Sequence, residues 1–167
     1  MFHAIADFEQ NWNHESASTR RQMDQLTDAS LSQAIADGHR TLGRIAWHIV
    51  TTIPEMMSHT GLKIPEVDIK APVPKTAAEI KKAYAAVSKA LLEQIKANWD
   101  DATLQVEDNL YGEKWKKGIT LLILLKHEIH HRGQMTVLMR QAGLKVPGFY
   151  GPAKEEWVNY GAQPPEV

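Results

Sequence analysis

No cysteine occurs among the 167 residues. Thiolate nucleophiles, disulfides, iron–sulfur clusters and sulfur-ligated zinc are thereby excluded, so any metal must be held by histidine and carboxylate. An excess of one charge is lacking too. With 19 Lys and Arg against 20 Asp and Glu, the formal charge is −1, and the basic footprint of a nucleic-acid binder is missing. The compact basic cluster Lys114-Trp115-Lys116-Lys117 is too short to track a phosphate backbone and reads as a solvated turn. Long apolar runs are absent. The longest, Ile119 to Leu125 interrupted by Thr120, falls far short of a bilayer span, and the opening Met1-Phe2-His3-Ala4-Ile5-Ala6-Asp7 has neither region of a secretory signal. The expectation is a cytoplasmic protein with neither membrane nor nucleic acid as partner.

What is present is ordinary for a globular protein, 43% apolar and 23% charged. A chain of this length buries roughly 70% of its unfolded surface, which favours one domain over residues 1–167. Apolar positions at Ile5, Phe8, Trp12, Met23 and Leu26 keep a helical rhythm and predict a first amphipathic helix from Phe2 to Leu26. After a loop from Thr27 to Arg40, Thr41 is a candidate N-cap for a second helix carrying Leu42, Ile45, Ile49 and Ile53, closed by Gly61. Pro65, Pro72 and Pro74 forbid helix between Leu62 and Lys75, which becomes a crossover linker. The capping box Thr76-Ala77-Ala78-Glu79 launches a third helix through Ile80, Tyr84, Val87, Leu91, Ile95 and Trp99. Asp100 to Gly118 reads as a loop or short hairpin. A fourth helix, Ile119 to Gln141, is apolar on nearly every face at its start, which predicts a central place in the bundle, and Gly143 ends it. The tail, Val146 to Val167, is expected to be irregular with one turn at Ala153 to Tyr160. The sum is an all-α four-helix bundle.

Eight histidines invite the question of which can meet. His3, His14, His39 and His59 fall at polar, loop or helix-end positions and read as structural or solvent-facing. His48 stands at the edge of the apolar stripe of the second helix, and His127, His130 and His131 cluster in the fourth. His127 and His131, four residues apart, stack on one helical face at a separation from which two imidazoles converge on one metal ion. His48 would complete a three-histidine site with a coordination position left open, as in catalytic centres. Hydrogen-bonded core histidines account for the same pattern with equal weight.

Two sharper motifs compete. His127-Glu128-Ile129-His130-His131 matches H-E-x-x-H, the zinc-peptidase signature, with Glu128 as general base and Glu155 or Glu156 as a conceivable third ligand. Such enzymes align peptides on a β-strand, and the sequence offers none clearly. Glu128-x-x-His131 matches half of a di-iron motif, but no second copy exists, since Glu55 and His59 are four apart. Close by, Gly133 reads as a point of helix–helix approach, Gln134 as an orienter of His131, and Arg132 as facing another element or a substrate carboxylate. Tyr150 and Trp157 read as caps of the open bundle end or as packing anchors.

Three blocks then carry a resemblance: Leu42-Gly43-Arg44-Ile45-Ala46-Trp47-His48-Ile49, His127-Glu128-Ile129-His130-His131-Arg132-Gly133-Gln134, and Val146 through Trp157. The chain resembles the DinB/YfiT-like family of metalloenzymes, most specifically in its H-x-x-x-H-H-R-G-Q string. The resemblance implies an up-down-down-up bundle, a divalent metal on His48, His127 and His131, and homodimers. It also implies relatives that transfer low-molecular-weight thiols such as bacillithiol or mycothiol, or that hydrolyse their substrates. No catalytic residue beyond the metal ligands follows from it. Zinc, nickel and iron all suit imidazole. With no cysteine in the chain, a sulfur nucleophile would come from a small-molecule co-substrate, which favours a thiol transferase over hydrolysis by metal-activated water. A metal-stabilised dimeric binding module is the non-catalytic alternative.

Overall fold

The computed structural model describes residues 1–64, 67–68 and 70–166. Four helices dominate: α1 (Ile5–Met23), α2 (Leu42–Ser58), α3 (Ala77–Asn98) and α4 (Lys117–Gln141). A small antiparallel hairpin, β1 (Glu107–Leu110) paired with β2 (Glu113–Lys116), leads into α4. Short 3-10 helices occupy Ala29–Ser32, Thr103–Gln105 and Lys154–Tyr160. The fold is all-α, and among the described residues no helix is long and apolar enough to cross a membrane.

Bonds between helices fix their directions. Lys96 pairs with Glu9, the Trp12 indole donates to the Ser88 carbonyl and Lys81 donates to the Asp24 carbonyl, so α1 and α3 run antiparallel. Phe2 N–H donates to Gly118 O, and Gln22 Nε2 to Arg132 O, so α1 and α4 run parallel. His48 meets His127 while Lys117 at the start of α4 reaches the Thr60 carbonyl beyond α2, so that pair is antiparallel. The order is therefore up-down-down-up. Parallel α2 and α3 demand a connection running back along the bundle, which the linker after Thr60 supplies; its Pro65 lies outside the described residues.

Local chemistry accounts for the boundaries. Thr41 caps α2 by accepting from Arg44 N–H, and Thr76 with Glu79 forms the reciprocal capping box of α3. Gly61 and Gly143 follow α2 and α4 with φ of +82° and +72°, a conformation glycine adopts without strain. α1 is shorter than its periodicity predicts. Residues 2–4 stay outside the helix, with Ala4 extended, as Phe2 is tied to Gly118 and the Ile5 amide is capped by the Asp101 carboxylate, 2.7 Å away. α4 begins at Lys117, two residues early.

Two expectations are corrected. Leu122 and Ile123 are only half-buried, so α4 is not a central helix; each helix of the bundle packs on two neighbours, and the apolar excess of α4 lies partly at its flanks. The basic cluster is not a solvated turn either. Lys114 to Lys116 form part of β2, and Lys117 is 5% exposed, its ammonium held by Asp108, the Thr60 carbonyl and the face of Trp99. The core proper joins Phe8, stacked on Trp12, with Ile53, Met57, Ile80, Leu91, Ile95 and Leu121, all fully buried.

Candidate metal centre

The antiparallel crossing of α2 and α4 brings His48 against two successive turns of α4. Nε2 of His127 lies 3.2 Å from Nε2 of His48 and 3.1 Å from Nε2 of His131. One ring nitrogen carries either one proton or one lone pair, so it satisfies one such neighbour but not both. A shared cation satisfies all three. At metal–nitrogen distances of about 2.0–2.1 Å, the edge of a coordination tetrahedron is about 3.3 Å, close to what is observed. His48, His127 and His131 thus form a group that could hold a metal ion.

Neighbouring side chains set the tautomers. Nδ1 of His131 lies 2.7 Å from Oε1 of Gln134, an acceptor, so Nδ1 carries the proton and Nε2 is left bare. The same amide donates from Nε2 to His130. On the other helix, Thr52 spends its hydroxyl proton on the His48 carbonyl, which leaves Oγ1 as an acceptor 3.5 Å from Nδ1 of His48. Burial, reinforced by the neighbouring rings, lowers His48 and His127 to about 4. His131 is lowered by burial against the opposing pull of Gln134. All three rings are therefore neutral near pH 7, with lone pairs free for a cation.

The remaining histidines stay apart from this group. His3, His14, His39 and His59 are exposed, as expected, and His59 rests 3.6 Å from Glu55. His130 is exposed as well, so the sequence cluster in α4 splits into two inward rings and one outward ring.

No carboxylate joins the three rings among the described residues, and this decides against both competing motifs. Glu128 turns into the bundle, where Thr19 and Tyr84 each donate to its Oε1 at 2.6 Å. Glu155 is clamped by the Arg140 guanidinium, and Glu156 accepts from the Gly148 and Ala153 amides. Arg132 faces another element, not a substrate: 2% exposed, it pairs with Glu15 of α1, donates to the Glu15 carbonyl and stacks on Phe149. Tyr150 donates to Glu15 from the tail at 2.7 Å. Among the described residues Gly133 approaches nothing, since a Cβ there would have no neighbour within 4 Å; it sits on an exposed face, and the close approach is made by Gly118 instead, against Phe2 at the start of the chain.

The three-ring group opens on one side. His131 and Gln134 border a cavity of about 470 Å³ between α4, the start of α2 and the loop before it, and neither Tyr150 nor Trp157 lines it. That loop supplies Ile35, Arg40 and His39, so His39, though exposed, also lines the cavity that His131 borders. Sequence reading missed Ile35 and Arg40, because a loop residue far from the motif carries no periodic signal. Only the bridge between Ala34 and Thr41, which folds the loop back on itself, brings them to the site.

Comparison with known proteins agrees with this architecture. The model of the DinB family matches residues 1–166. Over all 167 residues the chain is 44% identical to the full length of a Bacillus subtilis (strain 168) protein named "Uncharacterized protein YrdA". A crystal structure of a DinB-like protein from Bacillus cereus ATCC 10987 is similar at a TM-score of 0.86 and 50% identity, covering 90% of this chain and 100% of the other. A second DinB-like structure, YjoA of Bacillus subtilis, shares the fold at a TM-score of 0.68 and 18% identity, covering 88% and 99%.

Proposed function

The chain belongs to the DinB family, and from that premise we propose that it is a metal-dependent enzyme that transfers a low-molecular-weight thiol to a small electrophilic substrate. The observation that carries this reading is the convergence of three neutral imidazole Nε2 atoms beside an open cavity. A divalent ion held there, zinc, nickel or iron, supplies a Lewis acid that acidifies a thiol or water near neutral pH. The chain's own residues hold and orient the donors: Gln134 fixes His131, Thr52 fixes His48, and partial burial keeps the rings unprotonated. The absence of cysteine favours a thiol brought by a co-substrate over covalent catalysis by the protein. The reading includes a cytoplasmic homodimer acting on small molecules.

The test begins with metal analysis of the purified protein. The metal-loaded protein is then offered an aryl chloride electrophile with and without cysteine as the thiol, and simple esters and peptides without thiol. Thiol-dependent, metal-dependent consumption of the electrophile, lost in His131→Ala, is the expected result. Metal-dependent ester cleavage without thiol would instead identify a hydrolase. Stoichiometric metal with no turnover of any substrate would identify a metal-stabilised binding module.

A further inference from the structure

The cavity beside the three histidines has a chemistry of its own. Its walls are mostly apolar, formed by Ile35, Ile45, Val137 and Leu138, with His39 and Gln134 adding polar atoms beside His131. Two of these are unusual for apolar side chains: Ile35 is 59% exposed and Val137 is 49% exposed, and both border the same opening. Among the described residues no Asp or Glu lines the cavity; Asp37 belongs to the same loop but is not among its lining residues. The fixed charge that does line it is Arg40, which forms no ion pair and donates no hydrogen bond among the described residues.

The loop that presents Arg40 is built rather than loose. The bridge between Ala34 and Thr41 closes it, the Leu42 amide donates to the Gln33 carbonyl at 2.7 Å, and Gly38 turns the chain with φ +76°. The Gln33 side chain donates to the Ala34 carbonyl at the base of the loop. A cation without a partner, held over an apolar cavity, is matched by a ligand that brings its own negative charge and apolar surface.

We propose that this cavity binds a small organic acid, with its anionic group on Arg40, its apolar body along Ile35, Ile45, Val137 and Leu138, and its other end toward His131. The assignment deepens the functional reading above, and rests on it for the chemistry at His131 but not for the binding. The carboxylate that Arg132 does not meet is thereby met by Arg40. At a volume near 470 Å³ the cavity is within the range of small-ligand sites.

The experiment is calorimetric titration of sodium octanoate into metal-free and zinc-loaded protein, with octan-1-ol and octylammonium as uncharged and cationic counterparts. Octanoate is expected to bind the metal-free wild type at least tenfold more tightly than either counterpart. Arg40→Met, which keeps the aliphatic stem, should lose at least tenfold in octanoate affinity while leaving octanol unchanged, and Arg40→Lys should recover part of the loss. Val137→Asp, which sets a like charge at the mouth, should abolish octanoate binding. Arg40 and Val137 are exposed, and unchanged melting temperatures check that the variants fold. Equal affinity for octylammonium, or no binding to wild type, would overturn the proposal. Octanoate binding that needs zinc and ignores Arg40→Met would overturn it while leaving the metal reading intact. Charge-selective binding in a protein that takes up no metal would support the acid site and overturn the metal-dependent enzyme.

Discussion

His131 donates its Nδ1 proton to Gln134, one turn further along α4, and that bond aims the bare Nε2 at His127. The amide acts on the centre through the ring it orients. Gln134→Ala frees the ring to rotate, and metal affinity should fall about 10- to 100-fold, as for other residues that brace a metal ligand. Gln134→Glu keeps an acceptor at the same place and should recover most of the affinity. Competition with a chromophoric chelator measures both, and unchanged affinity in Gln134→Ala would show that the bond does not orient the ligand.

The centre should separate His130 from its neighbours. His48→Ala, His127→Ala and His131→Ala each delete one of three converging nitrogens and should leave the purified protein far below one equivalent of metal. His130 faces solvent and touches the group only edge-on, its ring centre 4.9 Å from that of His131. His130→Ala should therefore retain metal. Elemental analysis decides, and near-stoichiometric metal in His48→Ala would remove α2 from the site.

Glu128 gives a stability signature with a definite sign. Burial raises its pKa above the ordinary 4.5, although Thr19 and Tyr84 donate to it. A carboxyl whose pKa is raised on folding contributes most below the unfolded value, and that contribution is lost as pH rises through the folded one. Glu128→Gln carries no such proton. Its melting temperature relative to wild type should therefore climb as pH rises from 4 toward 8, measured on metal-free protein so that metal loss does not intrude. A constant gap, or one that shrinks, would contradict the assignment. Since Glu128 faces Thr19 and Tyr84 and not the three-histidine group, metal content should be unaffected.

The pair Arg132 and Glu15 ties α4 to α1 with both partners nearly free of solvent. Removing one partner strands a buried charge, so Arg132→Met should destabilise by about 3–5 kcal/mol. The double variant with Glu15→Leu replaces both charges with apolar groups and should cost less than Arg132→Met alone. Urea unfolding of the single and double variants tests this. Losses that simply add would mean the two charges act independently.

The helices were legible because long amphipathic segments with Thr41, Thr76, Gly61 and Gly143 at their ends state their boundaries locally. The spacing of His127 and His131 was equally local, and His48 stood out at the edge of its apolar stripe. What sequence could not give were contacts set by chain segments far apart. Phe2 docks on Gly118, Glu15 takes Arg132, and Lys117 is buried by Asp108 and Thr60. Lys117 reads as part of a solvated turn and Arg132 as facing another element or a substrate carboxylate, and in neither case does the sequence name the partner that arrives from another element. Arg40 escaped notice for the same reason, since only tertiary folding of its loop sets it beside His131.

Gly118 and Gly133, both within α4, should respond oppositely to alanine. A Cβ on Gly118 would collide with the carbonyl oxygen of Phe2, the residue whose amide seats the start of the chain against the bundle. Backbone cannot give way as a flexible side chain does, so Gly118→Ala should destabilise by about 1–3 kcal/mol. Gly133 lies in regular helix, and a methyl group added there would meet nothing within 4 Å. Alanine at that position loses less backbone freedom on folding and should stabilise the protein by about 0.5–1 kcal/mol. Because Gly133 faces away from the histidine group, that gain should come with unchanged metal binding. Thermal melts of the two variants, with metal titrations in parallel, check both signs, and a destabilised Gly133→Ala would reinstate the helix contact that its place in the sequence suggests.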